Sequence, residues 1–495
     1  MMQRHYTFIL MAVLTLLFPL RGVGRELSMT LDEAITMARV KSVDAAVALA
    51  ELRSAYWEWR TYRADLMPEV TFKATAPSYS NQYTPYMNEQ GEYSFVRNNY
   101  LDAQGQIAVT QNLLLTGGKL SLTSSLDFMR MYGEGGGNKF MSIPVALTLT
   151  QPIFGVNNLK WQSRIEPVRY AEAKAAFISA SEDVALAAVD YFFTLLLSRE
   201  NLAVAEQNLK NAEKLYNVAV EKRRMGRISE NDLLQMELNL LDARSTLTEC
   251  ASTQRSNMFR MRTFLDIEDE DVEIIPVVPS RVPEVEINFS HALESALANN
   301  KFAKNLRRRQ LEADYEVAKA KGDLRQINLF AQVGYTGTDS QISDAYRRLR
   351  GNQVVELGMS IPLLDWGKRR GRVKVAESNR QVTESRLRSE EMNFNQNLFV
   401  LIERFGNQQE QLRIASRSYD IALKRYDTNV ETFMIGMIST LDLNDSQSRK
   451  DESMRQYVNE LYRYWSYWYQ IRSLTLYDYE HHTGINADIE KLVKM

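Results

Sequence analysis

The sequence predicts an α+β membrane protein in which one unit of paired strands and long helices occurs twice. Three observations predict it. Residue identities recur at a fixed offset, apolar heptads run through long proline-free stretches, and short period-two runs with one apolar face lie between the helical segments.

The duplication is the firmest of the three. Pro152 recurs as Pro362, Leu202 as Leu412, Tyr216 as Tyr426, Gly226 as Gly436, Ile228-Ser229 as Ile438-Ser439, and Asp232-Leu233 as Asp442-Leu443, every pair 210 residues apart. Ala34 and Ala292, Asp65-Leu66 and Asp323-Leu324, and Phe72 and Phe330 are instead 258 apart. The offsets differ by 48, so the first copy carries an insertion between Phe72 and Pro152. Units this long are one fold duplicated rather than a solenoid. The reading assigns 25–275 to the first repeat, with an inserted hairpin at about 103–142. A linker follows at 276–289, then a second repeat at 290–475 and a tail at 476–495.

The elements follow in order. Arg4 and His5 precede an apolar run from Phe8 to Leu20 and a Gly22-Val23-Gly24 cleavage pattern, so 1–24 reads as a secretory signal peptide. The run is shorter than the ~20 residues a spanning helix needs. Single helices are expected near 31–66 and 290–324, and return helices near 230–264 and 440–474. Helices of about 65 residues, about 100 Å at 1.5 Å per residue, are expected over 160–224 and 368–432. Their seams are Val184, Ala188, Tyr191, Leu195, Leu202 and Ala205 in one, and Leu398, Leu401, Phe405, Leu412, Ala415 and Tyr419 in the other. Gln408 and Asn429 interrupt the second seam. Heptads held this long favour left-handed supercoiling of partner helices.

Strands are expected where Val70-Phe72-Ala74, Val145-Leu147-Leu149, Leu329-Ala331-Val333 and Val355-Leu357-Met359 alternate with polar neighbours. This is also the pattern of a membrane-barrel strand, apolar toward lipid and polar toward the lumen. The insertion reads as a hairpin turning at Thr116-Gly117-Gly118-Lys119, while 77–104 and 336–353 read as long polar loops. Four to six strands cannot close a membrane barrel alone, so the chain must oligomerise.

Composition excludes several functions. A net charge of −2 argues against nucleic acid, one cysteine excludes a disulfide framework, and four histidines leave little for a metal site. No catalytic constellation or cofactor motif is present; Gly117-Gly118-Lys119 lacks the upstream glycine of a phosphate loop. A periplasmic coiled-coil scaffold without channel activity stays open as the alternative, though it has no use for alternating strands.

Strand pair, long helix, Gly-x-x-Ser turn with a following Asp-Leu, and return helix, all duplicated, resemble the TolC-type outer-membrane efflux proteins. The sharpest marks are Gly226-Arg227-Ile228-Ser229 and Gly436-Met437-Ile438-Ser439, with Gln151-Pro152-Ile153-Phe154-Gly155 and Ile361-Pro362-Leu363 after the strands. The resemblance implies a homotrimer sharing one outer-membrane β-barrel, continued into the periplasm by an α-helical coiled-coil tube. It implies a channel serving a tripartite efflux pump or type I secretion system, with outer-membrane lipid around it. A periplasmic adaptor (membrane fusion protein) and an inner-membrane transporter of the RND or ABC type would be its partners. Gly226, Ile228, Ser229, Gly436, Ile438 and Ser439 become adaptor-contacting tips, and Phe433, Asp442 and Asp445 the periplasmic entrance constriction. Phe433 stands where family members often carry Tyr, and Ile438 where a gating Arg often stands.

Overall fold

A computed structural model of the chain describes residues 26–494, apart from 88–90, 134–135, 270, 325–326, 360–363, 435–436 and 439. The expected signal peptide lies outside the described residues, as do Ile361-Pro362-Leu363, Gly436 and Ser439; of Phe433 only the helical backbone is described. In chain order, β1 (Glu26–Met29), α1 (Leu31–Lys41) and α2 (Val43–Asp65) precede β2 (Glu69–Met87), β3 (Tyr93–Leu113), β4 (Gly118–Met131) and β5 (Gly137–Ile153). Then come α3 (Asn158–Arg224), α4 (Glu230–Phe264), β6 (Glu273–Pro276), α5 (Phe289–Asn299) and α6 (Lys301–Gly322). β7 (Ile327–Asp339), α7 (Ile342–Arg347), β8 (Arg350–Met359), α8 (Lys368–Met434) and α9 (Thr440–Thr475) follow. The described residues form two compact units, one within 53–174 and 301–393, the other within 26–52, 175–300 and 394–494.

The second unit is helical and packs around the predicted seams. Val184, Ala188, Leu195 and Ala205 of α3 are buried, as are Leu398, Leu401, Phe405, Leu412 and Ala415 of α8. Phe405 meets Tyr464 and Trp468 of α9 at ring-centroid distances of 5.1 and 5.9 Å. Gln408, which broke the seam pattern, is buried because its amide donates to the Glu460 carbonyl and carboxylate at 3.1 and 2.6 Å. A buried amide with its partners supplied is tolerated where an orphaned one is not. Glu182, 2 % exposed, accepts from Arg39 and from Arg472, and Arg472 also contacts Asp478 at 2.8 Å. Burial raises the Asp478 carboxyl, but the hydrogen bond and charge of Arg472 outweigh it and hold the group down to about 2.

Helices expected as single pieces over 31–66 and 290–324 are each broken once, at Ser42 and Asn300. These residues are 258 apart, as are the N-caps Thr30 and Asn288. Both breaks have extended backbones, with ψ of 149°. The side chains explain why: Ser42 Oγ accepts from the Ala45 N–H at 3.2 Å, and the Asn300 amide donates to the Ser473 and Leu474 carbonyls at 3.2 and 2.6 Å. Short polar side chains offer the chain an alternative to the helical ladder.

The first unit carries a six-stranded antiparallel sheet in the order β2-β3-β4-β5-β7-β8. The inserted hairpin forms, adding two strands to the four that the alternation marks. The expected polar loop over 77–104 does not form. β2 and β3 pair without interruption from Glu69↔Thr110 to Met87↔Tyr93, apart from a bulge between Thr75 and Ser78. The bulge holds Ala76 and Pro77, and a proline has no N–H to give the ladder. One extra residue inverts the parity of the alternation, so Tyr79, Tyr83 and Met87 lie on the same face as Val70 and Phe72. Within 336–353 the expected loop shortens to α7 and its flanks, with Ser142 Oγ donating to the Ala345 carbonyl at 2.6 Å.

Candidate functional site

Two features carry functional geometry: the faces of the sheet and the helix reversals. The registers place Val70, Phe72, Ile107, Leu122, Leu147, Val333, Val355 and Leu357 on one face. Phe72 is 71 % exposed and Val355 78 %, so among the described residues this apolar face has no cover. The opposite face presents Thr71, Lys73, Gln104, Gln106, Thr148, Gln332 and Glu356, with Phe330 and Met129 among its apolar exceptions. Large exposed apolar surface marks a contact with lipid or protein. Strands β2 and β8 are the free edges of the sheet.

The first helix reversal is fully specified by its residues. Gly226 has φ +73°, the left-handed region where a Cβ is costly. Its N–H donates to the Arg223 carbonyl at 2.9 Å, and the Arg227 N–H reaches the Lys222 carbonyl at 2.8 Å. These two bonds are the Schellman closure of α3. Ser229 then opens α4: its hydroxyl accepts from the Asp232 N–H at 3.1 Å, and the Asp232 carboxylate accepts from the Ser229 N–H at 3.0 Å. The bonds from the Ser229 side chain and backbone lower the Asp232 carboxyl below its ordinary range. Ile228 is half-buried between the two caps, and its carbonyl accepts from Arg223 at 3.3 Å.

The second reversal repeats this where it is described. The Met437 N–H donates to the Thr432 carbonyl at 3.1 Å, the counterpart of Arg227 to Lys222 exactly one 210-residue repeat later in number. Ile438 is half-buried like Ile228, whereas Gly436 and Ser439 lie outside the described residues. Asp442 is exposed in the first turn of α9, and its carbonyl accepts from Asn429 at 3.5 Å. Asp445 accepts from Arg425 of α8 at 2.8 Å and lies 3.8 Å from Arg449. Arg425 was missed in the sequence. The available signal was that both residues lie within about three helical turns of the reversal on antiparallel helices, 425 before it and 445 after it. Asn429 thus closes the reversal rather than merely interrupting a seam.

Among the described residues no helix is long and apolar enough to cross a membrane. No curated protein sequence matches the chain. A membrane protein from Pseudomonas aeruginosa has a similar fold, with a TM-score of 0.62 at 12 % identity over 93 % of this chain and 92 % of that one. The Campylobacter jejuni CmeC outer membrane channel gives 0.58 at 16 % over 94 % and 88 %, and the open Neisseria gonorrhoeae MtrE outer membrane channel 0.57 at 13 % over 93 % and 90 %. The family model for outer membrane efflux proteins matches residues 34–265 and 292–475. Its two segments start 258 residues apart and end 210 apart, the two offsets of the internal duplication. The chain therefore belongs to the outer membrane efflux protein family.

Proposed function

We propose that three copies of the chain form an outer-membrane channel, a passive conduit of a tripartite efflux pump or type I secretion system. The observation that carries this reading is the sheet: one apolar, exposed face, one polar face and two unpaired edges. In hydrocarbon an open edge is untenable. Six antiparallel strands are an even number, so β8 of one copy meets β2 of the next in antiparallel sense and the alternation survives closure. Three copies of six strands make eighteen, within the range of membrane barrels. The apolar face then meets outer-membrane lipid, and Thr148 and Gln332 line a polar lumen. The helical unit also supports association, because Leu234, Leu238 and Leu241 of α4 form an exposed stripe at heptad spacing, as do Ile414 and Ile421 of α8. A coiled-coil scaffold gives the apolar sheet face nothing to do.

In this reading the reversals at Gly226-Ile228-Ser229 and Gly436-Ile438-Ser439 contact the periplasmic adaptor, which joins the channel to an RND or ABC transporter. Phe433, Asp442 and Asp445 form the periplasmic entrance, with Arg425 tying Asp445 to the preceding helix. The test is the mass of the particle extracted from outer membranes. A detergent-dependent particle of three chains is expected; a monodisperse monomer, soluble without detergent, refutes the proposal.

A further inference from the structure

The end of the sheet that joins the helices carries a second kind of surface. β2, β4 and β7 begin there and β3, β5 and β8 end there, so α2, α3, α6 and α8 all converge on it. Four of the six tryptophans, Trp57, Trp59, Trp161 and Trp366, lie close to these junctions. Cations stand over several of the rings: Arg60 over Trp57 at 5.1 Å, Arg164 over Trp161 at 5.5 Å, and Lys319 over Tyr315 at 5.8 Å. Apolar side chains at this end stay in water, with Leu115 93 % and Trp366 89 % exposed. Phe154 and Trp366 hold left-handed backbones, φ +60° and +52°, where bulky residues are strained. Both rings are exposed, and neither serves the packing of the chain on its own.

The charge is concentrated in one place. Lys368, Arg369, Arg370 and Arg372 fall in the first five residues of α8, a helix with no acid in its first turn. Cations at a helix N-terminus oppose the helix dipole. None of the four has an ion pair among the described residues. The neighbouring Asp365 accepts from the N–H groups of Arg369 and Gly367 at 3.2 and 3.0 Å and is further held down by the charges of Arg369 and Arg370, one carboxylate against four cations, while Glu377 is taken by Lys374 and Lys321. The cleft between α6 and α8 that holds Arg369 and Arg372 is lined by six cations against the carboxylates of Glu312, Glu316 and Asp323.

We infer that this belt docks on anionic phospholipid headgroups, with Trp366 seated at the interface and Lys368, Arg369, Arg370 and Arg372 reading phosphate. The inference rests on the reading that the apolar sheet face lies in the outer membrane, since the belt borders that face at its periplasmic end. Aromatic residues favour the headgroup level, and a basic residue near an anionic surface contributes about 1 kcal/mol, about a fivefold effect.

The test reconstitutes the full-length protein in phosphatidylcholine vesicles with and without phosphatidylglycerol, and counts retained lipids by native mass spectrometry. Wild type is expected to insert in both and to retain phosphatidylglycerol preferentially, the preference weakening with salt. The quadruple variant K368Q/R369Q/R370Q/R372Q is expected to insert equally well in phosphatidylcholine but to lose about tenfold or more of that preference. Insertion without preference in wild type, or preference kept in the variant, overturns the inference while the barrel stands. Failure of wild type to insert in either vesicle overturns the barrel reading and the inference with it.

Discussion

Leu147 and Thr148 are chain neighbours at mid-height of β5, and they point to opposite faces of the sheet. Leu147 lies between Leu122 and Val333 on the apolar side, Thr148 between Ser121 and Gln332 on the polar side. If the apolar face meets lipid, Leu147→Arg places a guanidinium against hydrocarbon, at about 2–4 kcal/mol per copy near the midplane. Thr148→Arg places the same group in a wet lumen among hydroxyls and amides, where a solvated substitution costs about 0–0.5 kcal/mol per copy. The difference is a factor of roughly 10 or more for each copy, and three copies compound it. Backbone propensity cancels because the same residue is introduced into the same strand. Refolding into vesicles over a urea titration measures it, with loss of the heat-modifiable folded band as readout. Leu147→Arg should shift the midpoint strongly to lower urea and Thr148→Arg should leave it close to wild type. Equal shifts, or the larger one at Thr148, would show that the face assigned to lipid is not in lipid.

At the first reversal, Gly226→Val meets no neighbour within 4 Å but must hold φ +73°, at a cost of about 1–2 kcal/mol or more for a β-branched side chain. Hydrogen exchange should quicken at 222–234 while the particle stays intact, and adaptor crosslinking and export should fall together; normal crosslinking with an opened turn would remove the tip from the docking surface. At the proposed entrance, the double variant Asp442→Asn/Asp445→Asn should weaken cation selectivity in single-channel recordings, and Arg425→Ala should remove the closer of the two cations beside Asp445 and strengthen it. Unchanged selectivity in both would place the constriction elsewhere. Asp478 is held at about 2 against an ordinary value near 4, so its contribution to stability is complete above about pH 4 and is lost as pH falls towards 2. Asp478→Asn should flatten that acid limb of the thermal unfolding curve, and an unaltered slope would show that the Arg472 contact carries no stability.

Much of this architecture was written in local pattern. The seams through Leu195 and Phe405, the reversals at Gly226 and Ser229, and the hairpin turning at Gly117 all follow from periodicity or turn chemistry, which act over a few residues. Part of what escaped depends on partners distant in sequence. Ser42 breaks its helix through a local bond to Ala45, but Asn300 finds its acceptors at Ser473 and Leu474. The ribbon beyond Tyr79 was hidden by a single bulge at Pro77, which inverts the alternation by which a strand is recognised. Asp445 reads as a free carboxylate until Arg425 is brought across the reversal.

The most direct measurement of the central claim is disulfide crosslinking between the two free edges of the sheet. Pairs of cysteines, one in β2 and one in β8 of the same chain, moved in turn along both strands with Cys250 replaced by Ser, sample every register of one edge against the other in native outer membranes. Three copies closing one barrel predict a single antiparallel register that yields covalently linked dimers and closed trimers, with no species larger than three. An absence of β2-to-β8 crosslinks in every register, or ladders that extend past the trimer, would contradict it.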